Sequence, residues 1–355
     1  MTTNKLSLLF LLIFTSIISC KKNDMPAPVT PVVTTGVYTL NQGIFQQNNT
    51  MLTYYDFTSA TAATDYFKTV NGFGLGDTGS DFIIYGGKLY IVMNVSGYVA
   101  VADAVGLKFR DTIDFKNAGV NRGPENIVGF GSNVFVSSTD GTVAVIDTSS
   151  LAIQKFITVG SNPAQMVVSG NNLYVSNTGG YSASYDSTVS IIDLTSLTET
   201  GKITVGINPG CLASDNSGNI YVACTGNYGS VSPSLVKVSL NTGKVILSVD
   251  SAAGTIRYYN NELITTGGYL GASNVGILNP NDFSAIRPSF VTDGTNIVNP
   301  YGLDIDPATG DVYVGDAKDY VSSGTVYCFD KTGKKKFSFS TSPGISPIKT
   351  QIIQQ

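Results

Sequence analysis

Short apolar runs follow one another along most of the chain, and Gly, Asn and Asp separate them. The pattern is clearest near the middle, where Leu173–Asn177 (LYVSN) and Thr188–Asp193 (TVSIID) are rich in β-branched and aromatic residues. The more polar Thr200–Gly206 (TGKITVG) follows, and Asn162–Gly170 (NPAQMVVSG) precedes. Such runs, bounded by turn residues, predict four short strands joined by turns. A four-stranded antiparallel unit needs copies of itself to cover both apolar faces.

The chain contains seven versions of this unit. The second strand recurs as VYTL at Val37, LYIV at Leu89, VFVS at Val134, LYVS at Leu173, IYVA at Ile220, LITT at Leu263 and VYVG at Val312. These strands begin 39 to 52 residues apart, close to the period of roughly 40–50 residues of a propeller blade. The sequence therefore predicts an all-β fold, a seven-bladed β-propeller of four-stranded antiparallel blades.

The two ends of the repeat region complement each other. The region begins at a second strand, Val37, and ends after a lone first strand, Gly344–Ile353 (GISPIKTQII). We expect the last strand to pair with the N-terminal blade and close the ring, which removes an open sheet edge. No long helical periodicity is present, so we predict one propeller domain over residues 36–355 and a monomer.

The N-terminal segment is typical of an exported protein. Lys5 precedes the apolar run Leu6–Ile18, which is too short to span a membrane, so residues 1–19 are predicted to be a signal peptide. Ile17–Cys20 (IISC) resembles a bacterial lipobox, in which Cys20 is lipidated; the alternative is an ordinary signal peptide with an incidental cysteine. Residues 20–35 would then be a tether. We expect a lipid anchor in the outer membrane, at the cell surface or on the periplasmic side, as the chain's sole membrane contact.

Composition excludes several functions. A net charge of −4 and a pI near 4.8 argue against nucleic-acid binding, which needs a basic face. The chain has no histidine, which excludes His-based triads and His-ligated zinc. No cofactor motif or Gly-rich phosphate loop stands out, and we predict a non-enzymatic protein without catalytic residues.

Two sets of aspartates have a structural interpretation. Asp56, Asp103, Asp147, Asp193 and Asp330 each end a third strand, where a side chain at the first position of a turn caps the backbone. Asp304, Asp306 and Asp311 loosely resemble a calcium loop, but their spacing departs from the EF-hand pattern. A hairpin turn with Gly310 at the positive-φ position is the favoured interpretation, with calcium as the alternative.

The cysteines leave one question open. Cys211 and Cys224 flank a predicted turn at Ser217–Gly218, which would place them opposite each other on adjacent strands. A disulfide and two buried free thiols are both compatible with this arrangement in an oxidising compartment. Cys328 is predicted to be a small core residue. None of the cysteines has the spacing of a metal site.

The candidate binding residues lie on one predicted face. In a propeller, loops between second and third strands and loops between blades emerge together; we call this side the loop face. Its second-to-third loops contain Tyr98, Tyr181, Tyr185, Tyr228, Tyr269 and Tyr320, with Phe45–Asn48 in the first blade. Its blade-to-blade loops contain Asp77, Arg122, Glu125, Asn162, Asn208, Asn299 and Tyr301.

Aromatic side chains with a polar handle, on loops fixed by a rigid scaffold, favour a binding face. We predict that the six tyrosines bind ligand together with Arg122, Asn162, Asn208 and Tyr301. The alternative is that the tyrosines only cover the loops beneath them.

The repeats resemble a known family. The second-strand motif, the third strands ending in Ile-Asp and the TVGxNP junctions at Thr158–Pro163 and Thr204–Pro209 are similar to YVTN/YncE-type seven-bladed propellers. Asn41–Asp56, Val70–Asn94 and Tyr301–Lys334 further resemble surface lipoproteins of Bacteroidetes. Some of those capture cobalamin and pass it to a TonB-dependent transporter.

The resemblance implies a surface lipoprotein that captures a small molecule, with a corrinoid as candidate and an outer-membrane transporter as partner. The alternative is a protein–protein or surface-layer module that uses the same face. A lactonase-like or quinone-dependent enzyme is a third hypothesis. The chain has no tryptophan, whereas quinoproteins normally contain tryptophan-rich docking motifs.

Overall fold

The computed structural model describes residues 34–251, 253–267, 275–341 and 347–354. The predicted signal peptide, Cys20 and nearly all of the predicted tether lie outside the described residues, as does Tyr269. The described chain folds into seven four-stranded antiparallel sheets. They are the blades of a β-propeller, numbered here along the chain.

Blade 1 contains β1 (Thr34–Asn41), β2 (Met51–Asp56) and β3 (Thr61–Ala63). Blade 2 contains β4 (Gly79–Tyr85), β5 (Lys88–Met93), β6 (Tyr98–Asp103) and β7 (Phe109–Asp114). A short hairpin, β8 (Lys116–Asn117) and β9 (Val120–Asn121), leads to blade 3. Blade 3 contains β10 (Pro124–Phe130), β11 (Asn133–Ser138), β12 (Thr142–Asp147) and β13 (Ile153–Thr158).

Blade 4 contains β14 (Pro163–Ser169), β15 (Asn172–Asn177), β16 (Thr188–Asp193) and β17 (Thr198–Thr204). Blade 5 contains β18 (Pro209–Ser214), β19 (Asn219–Cys224), β20 (Ser234–Ser239) and β21 (Lys244–Asp250). Blade 6 contains β22 (Ala253–Tyr259), β23 (Glu262–Gly267), β24 (Gly276–Leu278) and β25 (Ala285–Arg287). Blade 7 contains β26 (Pro300–Ile305), β27 (Val312–Asp316), β28 (Thr325–Phe329) and β29 (Lys335–Ser340).

The last strand, β30 (Pro347–Gln354), closes the ring. It pairs antiparallel with β1, with Thr34 opposite Gln354 and Thr39 opposite Thr350, so blade 1 takes its inner strand from the C-terminal region. This confirms the predicted fold class and its closure. The first strands of successive blades lie side by side around a central channel.

The burial pattern follows the position of each strand in its blade. In blade 3, β11 and β12 are almost wholly buried, whereas the outer β7 of blade 2 is mostly exposed. Second and third strands are covered on both faces by neighbouring blades, which is why they are continuous apolar runs. Among the described residues, seven apolar clusters fill the spaces between blades.

The segment between blades 1 and 2 contains a helix that the sequence does not predict. α1 (Tyr66–Asn71) is six residues long and buries Phe67. Its six residues form fewer than two turns, which is too short to show a helical period. No helix in the described residues is both long and apolar enough to cross a membrane.

The predicted register of Cys211 and Cys224 is wrong. A bulge between Pro209 and Cys211 places Cys211 opposite Ala223, and Cys224 opposite Pro209. The two thiols therefore lie in different apolar clusters on opposite faces of blade 5, and both are free and buried. Cys328 is also a buried free thiol, as predicted.

The capping role of the strand-ending aspartates is confirmed at four positions. Asp147 Oδ1 accepts backbone N–H bonds from Ser149 at 3.0 Å and Ser150 at 2.7 Å, and these bonds hold its pKa below the ordinary value. Equivalent caps occur at Asp56, Asp193 and Asp330. Asp103 instead forms an ion pair with Arg110.

Candidate ligand-binding site

A recess of about 300 Å³ opens on the loop face above blades 3, 4 and 5. Its lining includes Tyr181 and Tyr185 from the β15–β16 loop, Tyr228 from the β19–β20 loop, and Asn162 and Asn208 from the loops entering blades 4 and 5. Five of the ten predicted binding residues therefore meet in one place. Glu125, at the start of β10, lies on the same wall.

The two tyrosine loops are shaped by glycines that follow equivalent strands. Gly179 has φ +67° and Gly226 has φ +74°. A Cβ on Gly179 would collide with the backbone N of Asp186, and one on Gly226 would collide with the carbonyl O of Val231. Each loop folds back on itself at this point, because Asp186 N donates to Thr178 O at 3.0 Å and Asn227 N donates to Val231 O at 3.2 Å. The tyrosines are thereby carried to the loop tips.

The two asparagines occupy equivalent junctions but have different surroundings. Asn162 is 7% exposed, and its Oδ1 accepts hydrogen bonds from Tyr181 N at 3.1 Å and Ser182 Oγ at 3.3 Å. Its Nδ2 donates to Thr139 O at 3.2 Å, so its amide holds the tyrosine loop in place. Asn208 is equally buried, yet no described residue hydrogen-bonds its side-chain amide. That amide lines the recess and has capacity for a ligand.

Two of the three tyrosines of the recess present their rings to solvent, and Tyr185 is half-buried. Tyr181 is 86% exposed and Tyr228 is 78% exposed. The rings of Tyr185 and Tyr228 lie 6.1 Å apart, centroid to centroid, and are tilted by 59°. The arrangement offers several aromatic faces to one bound group, which is why we treat it as the candidate site.

Glu125 provides a carboxyl group on the recess wall. Its Oε2 accepts a hydrogen bond from Asn94 Nδ2 at 2.7 Å. Burial raises the pKa of Glu125 to about 7, and the charge of Asp81 contributes to the rise. A carboxyl that changes its charge near neutral pH is uncommon outside functional sites.

Other predicted residues lie elsewhere or have a structural role. The Tyr98 hydroxyl donates to Leu75 O, and burial raises the pKa of this tyrosine. Arg122 pairs with Asp140 at 2.5 Å and lies 4.1 Å from the centroid of the Phe156 ring. Through these contacts, Tyr98 and Arg122 stabilise the packing of their loops.

Tyr301 and Tyr320 form a second aromatic pair on blade 7. Their centroids are 5.5 Å apart in an edge-to-face arrangement, and the Tyr301 hydroxyl lies 3.3 Å from Gln42 Oε1. They are absent from the described lining of the recess. Tyr320 is 49% exposed and remains available on the loop face.

The remaining polar groups of the blade junctions serve the loops themselves. Asp77 Oδ1 accepts hydrogen bonds from Gln46 N at 3.2 Å and Thr78 Oγ1 at 2.8 Å. Asn299 Nδ2 donates to Lys318 O at 3.4 Å. Phe45 is 65% exposed at the tip of the blade 1 loop, outside the described lining of the recess.

The central channel contains a cavity of about 350 Å³ with two ion pairs. Lys349 Nζ lies 2.5 Å from Asp81 Oδ1, and Arg257 NH2 lies 3.3 Å from Asp304 Oδ1. Asp81 Oδ2 also accepts the backbone N–H of Ile127 in the next blade at 3.0 Å. Gln165 and Cys211 accept equivalent bonds, from Leu212 N at 2.7 Å and Ile256 N at 3.2 Å. These polar groups join neighbouring blades.

The three aspartates of the predicted hairpin or calcium loop point to different partners. Asp306 caps the turn, with Ala308 N at 2.9 Å from Oδ1 and Thr309 Oγ1 at 2.8 Å from Oδ2. Asp311 pairs with Lys336 at 2.5 Å, and Asp304 with Arg257. Gly310 has φ +76°, so the hairpin interpretation is confirmed. Across the described residues, no group of three or more acidic or sulfur ligands is arranged to hold a metal.

Residues 35–343 match the model of a protein family described as a domain of unknown function, DUF5074. The chain belongs to this family. No curated protein matches the sequence.

Solved structures confirm the propeller fold. A quinoprotein alcohol dehydrogenase-like protein of Bacteroides thetaiotaomicron is 13% identical, with a TM-score of 0.66 over 90% of this chain and 79% of that one. Hydrazine synthase of Kuenenia stuttgartiensis is 18% identical, with a TM-score of 0.59 over 71% of this chain and 76% of that one. The designed protein Ika8 is 12% identical, with a TM-score of 0.59 over 90% of this chain and 92% of that one. At these identities the likeness concerns the fold alone.

The sequence prediction includes Glu125 only among the polar groups of the blade junctions, and not among the ligand-binding residues. A signal was present in the sequence. The residue after the junction proline is Ala164 in blade 4 and Gly210 in blade 5, but an acid in blade 3. An ionisable side chain at a position that is small in neighbouring repeats indicates a special environment.

Proposed function

We propose that this protein is a non-enzymatic binding protein that captures a ligand at the recess of Tyr181, Tyr185 and Tyr228. The observation that carries the proposal is the convergence of side chains from three blades at one recess. Three tyrosines, the Asn208 amide and the Glu125 carboxyl come from three blades and line one opening. Concave sites with aromatic walls and a few polar groups are the usual form of small-molecule sites.

We propose further that Cys20 anchors the protein to the outer membrane and that the loop face serves a surface-exposed capture step. A corrinoid is the first ligand to test, because the chain resembles propeller lipoproteins that capture cobalamin. A corrinoid is broad and partly apolar with amide arms, which suits tyrosine and asparagine loops on a wide face. A TonB-dependent transporter would be the partner that receives it.

The test is a calorimetric titration of the full-length chain, purified in a nonionic detergent, with cyanocobalamin. We expect one-to-one binding that Tyr181→Ala and Tyr228→Ala each weaken by about tenfold, which corresponds to roughly 1.4 kcal/mol. Tyr259→Ala, on the opposite side of the propeller, is the matched control and should leave binding unchanged. Absence of binding at high micromolar concentration would show that a corrinoid is the wrong ligand.

A protein partner is the second candidate, and one observation favours it. Tyr181 and Tyr228 are far more exposed than side chains enclosing a small ligand, and Val231 beside them is 41% exposed. Tyrosines of this kind are enriched at protein interfaces. Crosslinking in membranes should capture a partner that is lost when residues 180–185 are replaced by a Gly-Ser linker. A partner retained after this replacement would contradict the use of this face.

A further inference from the structure

The recess combines aromatic rings with an acid and contains no base. Its described lining residues include Tyr181, Tyr185, Tyr228 and Glu125, and no lysine or arginine is among them. The remaining lining groups are uncharged amides, hydroxyls and small side chains. This composition disfavours an anionic ligand, because nothing described there would balance a negative charge.

The charged groups around Glu125 do not neutralise it. Asp81 on β4 is itself an acid and contributes to raising the pKa of Glu125. The Tyr301 phenol on β26 is close enough for the Glu125 charge to act on its pKa, after the larger effect of burial. The nearby bases have other partners, since Arg122 pairs with Asp140 and Lys349 pairs with Asp81. Asn94, which donates to Glu125 Oε2, is neutral.

A half-buried carboxylate without a positive partner destabilises the folded protein. The charge of Glu125 therefore lowers the stability of the fold unless a group bound in the recess compensates it. Ala164 and Gly210 occupy the same position in the next two blades, so the fold does not require an acid there. A positively charged group in the recess would supply the missing compensation.

We infer that the recess binds an organic cation through a quaternary or methylated ammonium group. Tyr185, Tyr228 and Tyr181 would supply ring faces, and Glu125 the countercharge. Cations bind aromatic rings within about 6 Å of the centroid. The 6.1 Å separation of the Tyr185 and Tyr228 centroids allows one ammonium group to contact both rings. The Asn208 amide would bind a polar group elsewhere on the ligand.

This inference rests on the proposed binding role of the recess and narrows it to one ligand class. A corrinoid offers amides to the same loops but no ammonium group. The binding of the two ligands therefore depends differently on the charge of Glu125. An ammonium group needs the carboxylate, whereas an amide can hydrogen-bond to the acid in either protonation state.

The probes are choline and benzyltrimethylammonium, titrated calorimetrically into the full-length chain in a nonionic detergent. The control ligand is dimethylbutanol, the uncharged carbon isostere of choline. We expect at least one cation to bind at about pH 8, and the uncharged isostere to bind at least about tenfold more weakly. No binding of either cation at about 10 mM, or equal binding of the isostere, overturns the inference.

The matched variants are Glu125→Gln and Glu199→Gln. Glu125→Gln keeps an acceptor for Asn94 and removes the charge, and we expect about a tenfold or greater loss of cation affinity. Glu199 pairs with Lys202 on an outer strand, and its substitution should have no effect. Cation affinity of the unmodified chain should fall between about pH 8 and pH 5.5 as Glu125 gains a proton, and Glu125→Gln should abolish this dependence. Unchanged affinity in Glu125→Gln overturns the inference.

Cyanocobalamin titrated into the same preparations separates failure of this inference from failure of the proposed function. If the corrinoid binds equally well to Glu125→Gln while neither cation binds to the unmodified chain, the cation inference is wrong and the proposed binding function is retained. If Tyr181→Ala, Tyr185→Ala and Tyr228→Ala leave all binding unchanged, the proposed function fails as well.

Discussion

Glu125 makes the stability of the protein depend on pH near neutrality. Its carboxyl has a pKa of about 7 in the folded chain, compared with an ordinary value of 4.5. The folded state therefore binds the proton more tightly than the unfolded state, and stability falls as pH rises from about 4.5 through about 7. In ligand-free protein at about pH 8, we expect Glu125→Gln to raise the free energy of unfolding by on the order of 1 kcal/mol.

Urea unfolding at about pH 5 and pH 8 checks this prediction. The gain should be present at pH 8 and should largely disappear at pH 5, where the native carboxyl is protonated. Glu199→Gln, which changes a half-buried acid that pairs with Lys202, should show no such difference. A gain of equal size at both values would mean that packing, and not charge, is responsible.

Cys211 acts as a hydrogen-bond acceptor inside the ring. Its Sγ lies 3.2 Å from the backbone N of Ile256, a residue that is fully buried in the next blade. Cys211→Ala removes the only acceptor that the described structure gives this N–H outside its own sheet, and should cost about 1–3 kcal/mol of unfolding free energy. Cys211→Ser supplies a hydroxyl in its place and should cost less. Equal losses in urea unfolding would contradict the acceptor role.

At the scale of elements, the ion pair between β30 and β4 joins the closing strand to blade 2. Asp81 and Lys349 are 7% and 18% exposed at their side chains. Lys349→Met leaves the Asp81 charge without its basic partner, and should cost on the order of 3 kcal/mol. Combining it with Asp81→Asn should recover part of that loss, because the uncompensated charge disappears. Additive losses in a double-mutant cycle would show that the pair contributes nothing.

The strands also show which features of the fold can be predicted from the sequence. The seven blades can be predicted from the repeated apolar runs. Second strands that begin 39 to 52 residues apart match the period of propeller blades, in which neighbouring blades cover both faces of these strands. The register of Cys211 does not follow, because the bulge after Pro209 adds a residue that no composition pattern marks. Bulges of the same kind occur near the start of each inner strand from β4 to β26, where each begins with a Pro, Gly or Ala.

The candidate site is predictable in part for the same reason. Tyr181, Tyr185 and Tyr228 lie in equivalent loops of adjacent blades, so their proximity follows from the repeat. Tyr98 is the first residue of β6, directly after the equivalent loop. The segment before blade 2 covers it and accepts its hydroxyl through Leu75 O. That segment has no counterpart in the other blades, so repeat geometry carries no information about it. The unusual environment of Glu125 depends on groups from several blades at once, which a linear pattern does not reveal.

At the scale of the whole molecule, the ring is held by contacts between blades and, at blade 1, by a shared sheet. Neighbouring blades pack through apolar clusters, and blade 1 is additionally completed by the pairing of β30 with β1. Opening the ring between two blades requires separation of one apolar interface and of the polar contacts beside it in the channel. Opening it at blade 1 also requires loss of a row of backbone hydrogen bonds. The split blade therefore strengthens the point at which the chain ends meet.

Two circular permutants of residues 34–354, with a short Gly-Ser linker joining Gln354 to Thr34, test this account. Thr34 and Gln354 are strand partners, so the linker spans a short distance. A break between Ala308 and Thr309, in the turn from β26 to β27, creates a new split blade in blade 7. A break between Gly294 and Thr295 leaves every blade intact, so no sheet spans the junction of blades 6 and 7. That junction keeps the apolar cluster that contains Ile277 and Val314, and the Arg257–Asp304 ion pair.

We expect the first permutant to unfold in urea close to the native midpoint, and the second to unfold earlier with a lower m-value, because its terminal blades can separate before the rest. The two breaks lie in exposed segments close together in the chain, so differences in loop cost are small. If the second permutant is as stable as the first, the contacts between blades close the ring without a shared sheet. The pairing of β30 with β1 would then complete blade 1 without adding to the stability of the ring.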